Sequence, residues 1–130
     1  MVIGCAANTQ VPGQISSAYD CRLPANSGDT TVYDTTQVGA KGYLLRGPRL
    51  SYPEGPRDRG IQGRVMLSFI IDTAGRAEPQ SIVIDQSLQL EMDNEAIRYV
   101  RTALFRRMCI NGRPVRVRTT LPIDFKIQRE

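Results

Sequence analysis

The chain has 130 residues, 41% hydrophobic and 23% charged, which fits one globular domain with a tail and excludes a disordered acidic segment or a fibrous repeat. It holds no His, and that removes imidazole bases, Ser-His and Cys-His nucleophile systems and nearly all common zinc or haem sites. The net charge of +4, from 17 Lys+Arg against 13 Asp+Glu, raises nucleic acid or an anionic membrane surface as partners, but the cations run from Arg22 to Arg129 without the dense cluster of a nucleic-acid footprint.

No run reaches the ~18–20 apolar residues that span a bilayer. The opening Val2-Ile3-Gly4-Cys5-Ala6 is similar to the end of a bacterial lipoprotein signal, in which a small residue precedes a Cys that becomes lipidated. Such a signal needs a charged region and an apolar stretch upstream, so lipidation of Cys5 requires that the numbering start inside a longer precursor; otherwise the match is chance. The three cysteines, Cys5, Cys21 and Cys109, lack the C-x-x-C spacing of zinc or thioredoxin-like sites. In an exported protein, lipidation of Cys5 accounts for the odd thiol and leaves Cys21 and Cys109 to pair, closing a loop of roughly 88 residues and stabilising by ~4–5 kcal/mol in the chain-entropy model. The alternative is two buried free thiols in a reducing compartment. The export argument favours the disulfide.

Residues 6–40 carry many Ser, Thr, Asn, Gln, Asp and Gly and few periodic apolar positions, the pattern of a loosely structured arm in which Val32, Tyr33 and Val38 allow one short strand. The division is thus an arm over residues 1–40 and a domain over 41–130. Residues 41–60 are rich in Gly and Pro, and Tyr52-Pro53-Glu54-Gly55-Pro56-Arg57 allows a single helical turn with Pro56 at its start. From Ile61 to Ile71 the period is two, which predicts a strand. Asp72-Thr73-Ala74-Gly75 predicts a hairpin loop, and Ala77–Asp85 a second strand with Pro79 at an edge or bulge. Met92, Ala96, Ile97, Val100, Ala103 and Leu104 share one face of a helix over Glu91–Arg106, with acidic residues early and Arg late, as the helix dipole favours. Asn111-Gly112 breaks the chain. Val115, Val117, Thr119, Leu121, Ile123, Phe125 and Ile127 then alternate with polar residues in a long strand with one buried face, where Pro122 marks a solvent border or a bend. The order predicts an α+β fold: a small antiparallel three-stranded sheet (β-β-α-β) with one helix packed on one face.

This succession resembles the C-terminal domain of TonB-type energy transducers. The resemblance is carried by Tyr52-Pro53 with Arg57, Gly60-Ile61-Gln62-Gly63-Arg64-Val65, Phe69-Ile70-Ile71-Asp72-Thr73-Ala74-Gly75, Ser81-Ile82-Val83-Ile84, Met92-Asp93-Asn94-Glu95-Ala96-Ile97, Asn111-Gly112-Arg113-Pro114-Val115 and Leu121-Pro122-Ile123-Asp124-Phe125. The family's full transducer also has a membrane helix and a Pro-rich spacer, which these 130 residues do not contain; the resemblance therefore implies peptide binding more directly than force transmission.

What the resemblance implies is a non-enzymatic periplasmic domain, without cofactor or metal, in a Gram-negative-type bacterium. It would bind an extended peptide (the TonB box) of an outer-membrane receptor by strand addition in energy-coupled transport. The implied binding edge is Val115, Arg116, Val117, Arg118, Thr119, Thr120, Leu121 and Ile123, since strand addition needs an unpaired ladder and alternate side-chain pockets. The implied peptide-contacting segment contains Pro48, Arg49, Tyr52 and Pro53. A membrane tether through lipid on Cys5 and a homodimer paired through the open edge are further expectations. The alternatives are a scaffold lipoprotein that uses the fold without a transport role, and a basic nucleic-acid-binding domain. Catalysis is not expected, because no base stands ready to activate Ser87 or the Thr residues and the carboxylates Asp72, Asp85, Asp93 and Asp124 fall singly in turns, caps and surface positions.

Overall fold

A computed structural model of the chain describes residues 18–39 and 43–127. In chain order the elements are β1 (Val32–Asp34), α1 (Thr35–Val38), β2 (Leu44–Arg46), α2 (Glu54–Asp58), β3 (Gly63–Ile71), β4 (Val83–Gln86), α3 (Leu90–Thr102), β5 (Leu104–Phe105), β6 (Met108–Ile110) and β7 (Arg113–Phe125), with a 3-10 turn at Pro79–Ser81. The three expected antiparallel strands are neighbours in the order β7-β3-β4. Three strands is nonetheless too few: β1 joins the outer side of β7 in parallel, β6 forms a hairpin with its first residues, and β2 and β5 make a separate two-stranded ribbon. The additional pieces are three residues long or shorter, too brief to show a period.

The pairing of β3 with β7 runs unbroken from Gly63 opposite Phe125 to Ile71 opposite Val117. Its apolar face closes on α3. Val65, Leu67, Phe69 and Ile71 of β3 and Val117, Ile123 and Phe125 of β7 are buried with Met92, Ala96 and Val100 of α3 in one cluster. A chain with so few aromatics implies a core mainly of Ile, Val and Leu, yet all three Phe residues are fully buried in it. The Phe69 and Phe105 rings lie 5.3 Å apart, and Tyr52 meets Phe125 edge-on at 5.6 Å.

Two elements are shorter than their patterns predict. The helix stops at Thr102, because the Arg76 guanidinium donates to the carbonyls of Thr102 and Ala103 at 3.0 and 3.2 Å and caps its last turn. Ala103 turns extended, and the Phe105 amide bonds the Gly75 carbonyl at 2.8 Å. β4 begins only at Val83, since Pro79 opens a 3-10 turn where the pattern predicts a continuous hairpin strand. The loop before it is as anticipated: the Asp72 carboxylate accepts from the Ala74 and Arg76 amides. Gly75 sits at φ +85°, and an added Cβ would fall 2.4 Å from the Phe105 carbonyl oxygen. The β6–β7 turn is Asn111-Gly112 with φ values of 53° and 80°, the left-handed pair that a two-residue hairpin turn requires.

Candidate functional site

β7 carries the predicted binding edge and presents two flanks. On one, β3 pairs with residues 117–125. On the other, β1 pairs with residues 116–118, Val32 opposite Arg116 and Asp34 opposite Arg118. β6 pairs with residues 113–115. Of the eight edge residues, Val115, Arg116, Val117 and Arg118 are thus joined to the chain's own β6 and β1. Thr119, Thr120, Leu121 and Ile123 pair with β3 alone, and from Thr119 to Phe125 no strand lies beside the outer flank among the described residues.

The direction of the vacant groups follows from alternation. In an antiparallel ladder the N–H and C=O of one residue point to the same side, and those of the next residue to the other. Pro122 sits opposite Met66 within this ladder, and a proline inside a sheet keeps its donorless nitrogen away from its partner strand. Thr120 and Asp124, two residues to either side, therefore also turn their backbone groups outward. The Thr120 carbonyl accepts from the Tyr43 hydroxyl at 2.8 Å, a bond from a residue outside the β3 ladder. The open flank thus offers an N–H at Thr120, whose carbonyl already holds the Tyr43 hydroxyl, a C=O at Pro122, and both groups at Asp124.

Side chains alternate as the sequence implies. Val115, Val117, Thr119, Ile123 and Phe125 are buried and Leu121 is half-buried, while Arg118, Thr120, Pro122 and Asp124 are exposed. Thr119 is an exception in kind: it is buried and its hydroxyl has no hydrogen-bond partner among the described residues. On the polar face Arg116 grips the Glu78 carboxylate with two bonds of 2.6 and 2.7 Å and donates a third, at 2.8 Å, to the Thr30 carbonyl. The two bonds from Arg116 hold the Glu78 carboxyl below its ordinary range. Arg64 likewise bonds Asp124 at 2.6 and 3.2 Å and lowers its carboxyl. Both partners of that second pair are about half exposed, so it fixes orientation more than it adds stability.

The segment containing Pro48, Arg49, Tyr52 and Pro53 lies along α3 instead of along the open flank. The Ser51 amide donates to the Glu95 carboxylate at 2.6 Å, and Arg98 donates to the Arg49 carbonyl at 2.8 Å while pairing with Glu95 at 2.7 and 2.8 Å. Glu95 is held low chiefly by Arg98, with a further contribution from the Ser51 amide. Tyr52 donates to the Ile61 carbonyl and packs on Phe125, so this segment reaches the end of β7 through one ring.

Residues 18–39 of the arm are docked on the domain. Ala18 is in the core, Cys21 and Cys109 form a disulfide with Cα atoms 5.5 Å apart, and the Leu23 amide bonds the Gly112 carbonyl at 2.8 Å. α1 begins with a capping box in which Asp34 accepts from the Gln37 amide and Gln37 accepts from the Asp34 amide. Besides the expected Cys21–Cys109 pair and the short strand at Val32 and Tyr33, Asp34-Thr35-Thr36-Gln37 is a sequence signal of this docked region. Cys5 lies outside the described residues. Among the described residues no group of acidic or thiol side chains could hold a metal ion, and no helix is long and apolar enough to cross a membrane.

Residues 48–127 match the family described as Gram-negative bacterial TonB protein C-terminal. The chain belongs to this TonB C-terminal family. The match starts after β2 and takes in everything from α2 to β7, so β1 and α1 lie outside it. Protein TonB of Vibrio cholerae serotype O1 is 30% identical over 77 residues, covering 59% of this chain and 31% of that protein; the chain spans under a third of the length of this curated relative. The solution NMR structure of the Pseudomonas aeruginosa TonB C-terminal domain is similar with a TM-score of 0.54 and 29% identity, over 67% of this chain and 87% of that one. The NMR structure of the Helicobacter pylori TonB C-terminal domain gives a TM-score of 0.47 and 21% identity, over 62% and 72% of the two chains. The α+β fold read from the sequence is the TonB C-terminal fold.

Proposed function

We propose that the domain captures an extended segment of an outer-membrane receptor, the TonB box, by adding it as a strand to the outer flank of β7, in TonB-like energy-coupled transport. The observation that carries this reading is the vacant flank from Thr119 to Phe125, in a chain of the TonB C-terminal family. Main-chain bonds to Thr120, Pro122 and Asp124 supply affinity, and the side chains on either side of the ladder select the guest. Membership of this family and the Cys21–Cys109 disulfide both support a periplasmic location, since disulfides persist in that oxidising compartment. No catalytic step belongs to this function.

Titration of the full chain with synthetic TonB-box peptides from outer-membrane receptors tests the reading. Saturable binding that a scrambled peptide of the same composition does not reproduce is expected. Failure of every such peptide to bind would leave the scaffold alternative in its place.

A further inference from the structure

The arm strand β1 already lies where a guest strand would lie. It runs parallel to β7 on the flank opposite β3, with Tyr33 beside Val117 and its neighbours beside Arg116 and Arg118. By the same alternation that turns Thr120 outward, residues 116 and 118 direct their backbone groups to this flank, so the open stretch 119–125 is the continuation of the ladder that β1 fills.

We propose that Val32–Asp34 is a resident, displaceable occupant of the β7 edge, latched in place by the Cys21–Cys109 disulfide, and that release of the arm frees residues 116–118 for a longer guest strand. This rests on the reading of β7 as the capture edge. Three observations carry it. First, the occupant is weakly built: β1 has three residues, Val32 and Asp34 are exposed, and only Tyr33 packs against the core. Second, between Cys21 and β1 the arm is held by hydrogen bonds: the Leu23 amide to the Gly112 carbonyl, Arg113 to the Pro24 carbonyl at 2.9 Å and Arg116 to the Thr30 carbonyl. Its apolar anchors are Ala18, in the core, and Tyr19, Tyr33 and Val38, packed against it. Third, the arm lies before the matched family unit, which starts at residue 48. A short strand of this kind competes through effective concentration, because both of its ends are tied to the domain. The disulfide supplies the tie at the N-terminal end. Opening it takes two electrons and two protons from a dithiol, which leaves as a disulfide while Cys21 and Cys109 become thiols.

The test compares the full chain in its oxidised form, after reduction by dithiothreitol, and as Cys5→Ser/Cys21→Ser, which cannot form the latch and avoids substituting buried Cys109. Amide hydrogen exchange is expected to quicken at least tenfold over residues 31–35 in both opened forms, with β3 and α3 unchanged. Unchanged exchange of the arm would overturn the proposal. A synthetic peptide of residues 28–38 is the second probe. It should bind the opened forms at least tenfold more tightly than the oxidised chain, and equal affinity or no binding would overturn the proposal. Receptor TonB-box peptides are titrated in parallel. If they bind no form while the arm peptide binds the opened ones, the capture reading fails and the occupancy stands; if they bind the oxidised and opened forms equally, the arm is no competitor and the proposal fails alone.

Discussion

Replacing Thr120 by proline separates the two flanks of β7. Thr120 is exposed, and its N–H is assigned to the vacant side by its two-residue spacing from Pro122 and by the Tyr43 hydroxyl on its carbonyl. Thr120→Pro should therefore remove one donor from the guest ladder without breaking a bond to β3. The net value of one such hydrogen bond is about 0.5–1.5 kcal/mol, which weakens peptide binding roughly 2- to 12-fold. Crowding by the pyrrolidine ring adds to that. Stability changes little, because the strand already tolerates Pro122 and the Thr120 hydroxyl does no more than approach that of Ser68 at 3.4 Å; the melting temperature should move by less than about 5 °C. Leu121→Pro is the counterpart. It removes an amide that faces Leu67 across the β3 ladder and should unfold the domain at far lower temperature. Isothermal titration with a TonB-box peptide, beside a thermal melt, reads both effects. A folded Thr120→Pro chain with undiminished affinity would refute the assignment of the vacant flank.

The other predictions concern stability. The Glu78 carboxyl is held low by Arg116, so the stability it contributes is complete above the unfolded value near 4.3 and is lost as pH falls through its lower native value. Glu78→Gln should flatten the fall in urea midpoint between about pH 5 and pH 3 relative to the native chain, and parallel curves would exclude that role. Thr119→Val exchanges a buried hydroxyl without a partner among the described residues for a methyl of the same shape; it should be neutral or stabilise by up to about 1 kcal/mol, and a clear drop in denaturant midpoint would reveal a partner. Gly75→Ala meets both a φ of +85° and the Phe105 carbonyl, so it should cost more than the ~1–2 kcal/mol of a left-handed residue alone. A melt within about 2 °C of native, against the roughly 4–8 °C per kcal/mol expected for small domains, would show that the loop relaxes freely.

What the sequence revealed depended on whether a segment's determinants are local. The alternation of Val115, Val117, Thr119, Leu121, Ile123 and Phe125 reports directly that one face of β7 is buried. Asn111-Gly112 reports its own turn through the positive φ both residues adopt. The end of α3 was not legible, because the apolar period continues through Ala103 and Leu104 while the stop comes from Arg76, distant in sequence. The arm is the larger case. Its Cys21–Cys109 disulfide is the one expected from the cysteine count, but its docking also depends on Arg113 and Arg116 reaching its carbonyls, and those bonds leave no hydropathy period. The edge was similarly half visible: the sequence identifies β7 as long and alternating, but only the topology shows that β1 and β6 take residues 113–118 and leave 119–125 beside β3 alone.

The most direct measurement is residue-resolved amide exchange of the full chain, oxidised, with and without a bound TonB-box peptide. The Thr120 and Asp124 amides should become strongly protected on binding, while those of Val83–Gln86 in β4, the strand at the opposite margin of the sheet, stay as they were. New protection confined to β4, with Thr120 and Asp124 exchanging as freely as before, would contradict capture at β7.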